Sequence, residues 1–275
     1  MGQRPTATTG AANKADQYGL GSYPAIIREP LVAIRMLASA GVVATVDHVR
    51  TISLLRLHNR LVDRRRRAKF VDVLERATNA EPLRVRSTTP EEVVQAVHCA
   101  PLPSKTILWA IDAADIDPAG YHLVDVGSGW GFALAVASEL PFRGLTGIEF
   151  DRGFHDMAVR NFDAFAANGS VAPGRVALKH ESALEAELPG EPLVVLLANP
   201  FGELIMARFL DRLAASVKKD PRPVVILYVN PTQAHLFDRS ELDEIALRGT
   251  AATLLRLFSP YRVRAYRWPI CRIKG

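Results

Sequence analysis

The sequence predicts an α/β protein, an open and mostly parallel sheet with an antiparallel strand pair at its C-terminal end, preceded by a helical N-terminal region. Three observations carry this. Short apolar runs at Leu123–Val126, Leu145–Phe150, Val176–Lys179, Leu193–Leu197 and Val224–Val229 have the length and composition of buried strands. Helical stretches at Phe132–Leu140, Asp156–Ala167 and Glu203–Val217 fall between several of them, as crossovers between parallel strands require. Near the end, Ala252–Phe258 and Arg262–Trp268, joined by Ser259-Pro260-Tyr261, read as an antiparallel pair that brings the sheet to seven strands.

The α/β pattern is expected to occupy residues 90–275. Thr89-Pro90-Glu91-Glu92 forms a helix start in which Thr89 caps, Pro90 suits the first helical position and Glu92 reaches back to the cap. Residues 1–20 lack apolar periodicity and are expected to form a mobile tail. Between them, residues 21–89 read as a basic helical region. Leu31–Ala40 is helical, with Gly41 placed as a left-handed cap. Thr45–Asn79 is a long amphipathic helix or two broken ones. Its apolar face runs through Val46, Val49, Ile52, Leu55 and Leu57 and resumes at Phe70 beyond Arg64–Arg67.

Composition narrows the function classes. With 48% hydrophobic and 23% charged residues, the 275-residue chain is neither disordered nor membrane-like. Leu31–Val46, the longest apolar stretch near the N-terminus, contains Arg35 and is too short to span a bilayer comfortably, so no stable membrane insertion is expected. No signal-peptide pattern opens the chain. The two cysteines, Cys99 and Cys271, are too few for a disulfide framework and make a reducing, cytoplasmic setting the expectation. His98-Cys99 has no second pair at metal-ligand spacing, so no metal site is proposed.

The net charge of +5 is unevenly placed. Residues 1–90 carry 15 Lys/Arg against 7 Asp/Glu, and the remainder 19 against 22. Arg64–Arg67 with Lys69 could neutralise phosphates of RNA or DNA, or sit on an anionic membrane surface. Phe70 is almost alone among aromatics there, which argues against a base-stacking platform. The plainer reading is a solvated helix face that docks on the catalytic domain or on a second subunit; the oligomeric state stays open.

The most informative segment is Leu123-Val-Asp-Val-Gly-Ser-Gly-Trp-Gly131. A buried strand ends in glycines at 127, 129 and 131 and a helix follows, so the backbone can turn sharply and a ligand can approach it. Asp125, just before the loop, can hold the loop or attract a ligand ammonium group. A dinucleotide loop wants a glycine where Phe132 stands, and a P-loop wants a terminal Gly-Lys-Ser/Thr, which is absent. A tight turn with no ligand is the bland alternative. Glu149 ends the next strand about twenty residues on, where a carboxylate can accept bonds from ribose hydroxyls; Asp151 is the alternative if the register differs by two.

The acid-x-Gly-x-Gly-x-Gly spacing resembles the first motif of class I methyltransferases dependent on S-adenosylmethionine (SAM). Pro101-Leu-Pro-Ser104, Val124–Gly131, Gly147-Ile-Glu149, Asn199-Pro-Phe-Gly202 and Tyr228-Val-Asn-Pro231 resemble, more narrowly, bacterial members related to the non-SET protein-lysine methyltransferases. The resemblance implies a seven-stranded Rossmann-like methyltransferase sheet and SAM as cofactor, held by Asp125, Gly127, Ser128, Gly129, Gly131, Glu149, Glu181, Ser182, Ala183 and Asn199. It implies methyl transfer to an acceptor, with an amine of a protein side chain or of a small molecule favoured. Asn199 and the Pro200 carbonyl could orient such an amine, Phe201 could cover the site and Tyr228 could line the acceptor pocket.

Three departures stand out. Trp130 and Phe132 replace basic residues, which makes the mouth of the site more apolar. The third strand ends His180-Glu-Ser-Ala183 without the usual Asp for adenine, leaving Glu181 or Ser182 for that contact. The fourth motif is not the Asn-Pro-Pro-Tyr of many amine methyltransferases. His180, His235 and Asp238 are further candidate proton acceptors. A nucleic-acid methyltransferase using the basic helix, and a SAM-binding protein without catalysis, are the competing readings.

Overall fold

A computed structural model describes residues 25–67 and 102–269 of the chain. They fall into two compact units that divide between Leu61 and Val62. Residues 68–101, which hold Thr89–Glu92, the expected domain start at residue 90, His98 and Cys99, lie outside the described residues, as do the expected tail and Cys271.

The first unit is dominated by helix α1, Ala25–Leu57, which kinks at Gly41. There φ is 83° and ψ 176°, a backbone setting that only glycine adopts without strain, so the expected end of the first helix is a kink between two helices. The chain continues through a π-helical turn, His58–Val62, into the short helix α2, Arg64–Arg67.

The second unit carries the sheet. Helix α3 (Ser104–Ala113) leads into β1 (His122–Val126), α4 (Phe132–Ala137), β2 (Gly144–Glu149), α5 (Arg152–Ala167) and β3 (Val176–His180). Then follow β4 (Leu193–Leu197), α6 (Glu203–Lys219), β5 (Val224–Val229), α7 (Ala234–Phe237), β6 (Asp243–Ile245), α8 (Gly249–Phe258) and β7 (Val263–Arg267). The seven strands lie in the order β3-β2-β1-β4-β5-β7-β6. β1 to β5 are parallel, and β7 runs antiparallel to both β5 and β6. This is the mostly parallel Rossmann-like sheet that the sequence predicts.

One strand assignment is corrected. Ala252–Phe258 belongs to α8, and the partner of β7 is the three-residue β6. Ala251 and Leu255 are buried one helical turn apart while Thr253 and Arg256 are exposed, a helical pattern that the apolar run conceals. β6 contains a single apolar residue in Asp-Glu-Ile, too little to announce a strand. Elsewhere the predicted and observed elements differ at their ends. α5 starts at Arg152 because Asp151 caps it, its carboxylate accepting from Phe154 N at 2.9 Å.

Alternate residues of the central strands supply two cores. Val194, Leu196, Val225 and Leu227 face α3, α4, α5 and α8; Leu193, Val195, Leu197, Ile226 and Tyr228 face α6 and α7. All five residues of β4 are buried, as a strand covered on both faces must be. Each such Val or Leu contributes about 1.5–3 kcal/mol of burial free energy. The sheet's carboxyl ends are thereby fixed to a rigid frame.

Asp63, just before α2, is fully buried in this second unit. Its carboxylate accepts from Ser104 N at 3.1 Å and makes a short bond with Ser104 Oγ. Pro103 at the start of α3 supplies no side-chain cap, so Asp63 satisfies the helix end from 41 residues away. Asp63→Ala is expected to lower the unfolding free energy by about 1 kcal/mol or more in urea denaturation; an unchanged midpoint would contradict the assignment.

Candidate functional site

The strand order reverses between β1 and β4, and in open α/β sheets ligands bind outside the carboxyl ends of strands at such a point. The loop after β1 is built from left-handed glycines, with φ of 74° at Gly127, 53° at Gly129 and 87° at Gly131. Their spacing has a second cause, close packing. A Cβ on Gly127 would stand 2.7 Å from Pro200 Cβ, and one on Gly131 2.7 Å from the Phe162 ring. The first glycine therefore lets the turns after β1 and β4 touch, and the third lets α5 close on the loop. Asn161 of α5 holds the loop as well, donating from Nδ2 to the Trp130 carbonyl at 3.1 Å.

Glu149 ends β2 as expected and is buried at 5% exposure. Its Oε2 accepts from Gly129 N at 2.8 Å and its Oε1 from Asp151 N at 2.9 Å. The carboxylate is thus aimed at the glycine loop and bridges it to the start of α5. Asp151 is not the strand-end acid but the helix cap and one of Glu149's donors. Burial, opposed by the N–H groups of Asp151 and Gly129, raises the Glu149 carboxyl from its ordinary 4.5 to about 7. Asp125 is raised from 3.8 to about 7, first by burial and then by the negative charge of Glu149.

The turn after β4 is held by a second network. Asn199 is buried with φ of 53°, and its Oδ1 accepts from Thr232 Oγ1 and, at 3.4 Å, from Tyr228 OH. The Tyr228 oxygen accepts from Gln233 N at 3.1 Å, so its own hydrogen is directed to Asn199. Tyr228 is fully buried, its ring 5.0 Å from that of Phe237, and burial raises its phenol above the ordinary range. Its hydroxyl holds Asn199. Phe201 lies in the core, 6.0 Å from Phe209 between ring centres, and supports the turn from beneath. Phe132 also lies in the core, so of the two aromatics expected at the mouth only Trp130 is half-exposed.

At the end of β3, Glu181 is exposed and its backbone N–H donates to the Glu149 carbonyl at 3.2 Å. Ser182 Oγ accepts from Leu184 N at 3.1 Å, and Ala183 packs against the second core. Ser128 is buried, and its backbone N–H donates to the Ile148 carbonyl at 3.1 Å. The three further candidates for proton acceptor each have a polar neighbour. His180 lies 3.1 Å from the Phe150 carbonyl, His235 3.1 Å from Glu203, and Asp238 3.6 Å from Arg264. Thr232, Gln233 and Asn161 hold these turns and the sequence does not signal them; Thr232 and Gln233 follow Pro231 in an unpatterned turn.

No family model matches the chain, and no curated protein is similar at a significant level. Solved structures are similar to it. An RNA methyltransferase from Salinibacter ruber in complex with S-adenosyl-L-homocysteine is 19% identical, covering 62% of this chain and 94% of its own, with a TM-score of 0.38. The magnesium protoporphyrin IX methyltransferase of Synechocystis with bound SAM is 11% identical over 59% of this chain and 76% of its own, TM-score 0.41. A ribosomal protein L11 methylase from Lactobacillus delbrueckii subsp. bulgaricus is 16% identical over 59% and 75%, TM-score 0.38.

Two predictions follow from the acid pair and the touching turns. Both carboxyls hold protons more tightly when folded, so the stability they contribute is full below their ordinary values of 3.8 and 4.5 and is lost as pH rises through about 7. Asp125→Asn removes one of the two, so its stability relative to wild type is expected to rise by about 1 kcal/mol or more between about pH 5 and about pH 8. Parallel pH profiles in urea denaturation would refute this. Gly127→Ala is expected to cost about 1–3 kcal/mol through the collision with Pro200, read as a lowered thermal midpoint.

Proposed function

We propose that the chain is a SAM-dependent methyltransferase that binds its cofactor at the carboxyl ends of β1, β2 and β4. The observation that carries this reading is the Glu149 carboxylate, buried, turned to the glycine loop and held there by Gly129 N and Asp151 N. Those bonds use one lone pair on each oxygen and leave another on each, the number that two ribose hydroxyls need. Asp125 beside it is a second buried carboxylate, suited to an ammonium group. The residues fit the cofactor.

When bound, SAM supplies a methyl group already activated by its sulfonium. The chain's own residues then position and exclude water. The left-handed glycine loop brings backbone rather than side chains to the ligand. Glu181, Ser182 and Ala183 flank its adenine side. Asn199 and Pro200, locked by Tyr228 and Thr232, form the wall on which the acceptor is oriented. An amine nitrogen of a protein side chain or of a small molecule is the favoured acceptor, in keeping with the resemblance to non-SET protein-lysine methyltransferases. A nucleic-acid acceptor is the second reading, favoured by Arg64 and Arg65, which are exposed in the unit that carries the sheet.

Calorimetric titration with SAM and with S-adenosylhomocysteine tests the proposal; binding of neither ends it. Gly129→Val puts a branched side chain where φ is 53° and is expected to abolish binding. Asn199→Ala is expected to leave affinity within a few-fold and to lower turnover about a hundred-fold. Equal loss of affinity in both would contradict this division of roles. Unchanged methylation after replacement of Arg64–Arg67 would remove the second reading.

A further inference from the structure

Eight of the eleven large apolar side chains exposed among the described residues fall between Leu37 and Val62, a density that calls for a partner. Val42, Val46, Val49 and Leu57 lie along one face of α1 beyond its kink, with exposed Ser53 at the helical position between the last two. Val43, 84% exposed, borders this stripe. Helical periodicity also puts Arg50 on one margin and Arg56 on the other.

Charge decides what can cover the stripe. Asp47 is the one acid between Met36 and Arg60, against Arg50, Arg56 and Arg60, and the sequence runs on into Arg64–Arg67. A second copy meeting the same face would oppose arginine with arginine. A nucleic acid would take the arginines and leave the valines in water. An acidic bilayer surface accepts both, with the valines among the acyl chains and the guanidinium groups among the headgroups. Among the described residues no helix is long and apolar enough to cross a membrane, and one lying in the interface needs no such length. We propose that the Val42–Leu57 face of α1 docks the protein on an anionic lipid surface.

The test is sedimentation of the full chain with vesicles of phosphatidylcholine containing about 30% phosphatidylserine, against phosphatidylcholine alone. Binding is expected to the anionic vesicles only, and to fall at least about ten-fold in Val43→Asp/Val46→Asp and in Arg50→Glu/Arg56→Glu. The substituted valines are exposed, and an unchanged circular dichroism spectrum confirms that each variant is folded. No binding to anionic vesicles would overturn the proposal, as would binding that survives the valine changes. A lipid-free dimer that Val43→Asp/Val46→Asp makes monomeric would assign the face to a second copy instead. RNA binding that depends on the arginines alone, without vesicle binding, would also overturn it.

Discussion

A carboxylate buried at the head of a parallel sheet must find donors, and Glu149 finds them in two backbone N–H groups that belong to different elements. One lies in the glycine loop after β1, the other at the entrance to α5. The position of the loop and the entry angle of the helix are therefore tied to one side chain. Gly131 and Asn161 close the same arrangement from the α5 side. Asp125 shares the low-dielectric space, which is why both acids hold protons to about neutral pH.

The opposite end of the sheet is built for anchorage. His122 opens β1 with Nε2 2.8 Å from Thr146 Oγ1 and Nδ1 3.2 Å from Glu191, tying β1 to β2 and to the approach to β4. Gly144 admits that imidazole, since a Cβ there would overlap the ring. The three central strands β1, β4 and β5 are each followed within two residues by a positive-φ position, Gly127, Asn199 and Asn230. These sharp turns open the end of the sheet where the acids sit.

Much of this was legible in the residues. Four of the five parallel strands, β1, β2, β4 and β5, are largely apolar, and burial on both faces leaves such runs no other pattern. The glycine spacing and the acid at the end of β2 marked the loop because their causes are local. What stayed hidden depends on distant partners. Asp63 as the cap of α3, Thr232 on Asn199 and the burial of Phe132 and Phe201 arise from contacts that no sequence window contains. The run 252–258 misled because a short apolar segment fits strand and helix alike, and tertiary packing on α3 and the sheet decides between them.

The outer strand β6 has three residues, two of them acidic, and Glu244 is paired with Arg264 of β7 at 3.1 Å. A foreign backbone seeking to extend the ladder there would meet a short template fenced by carboxylates. Among the described residues no further strand covers that edge, and its shortness and charge make it a poor template for fibril growth.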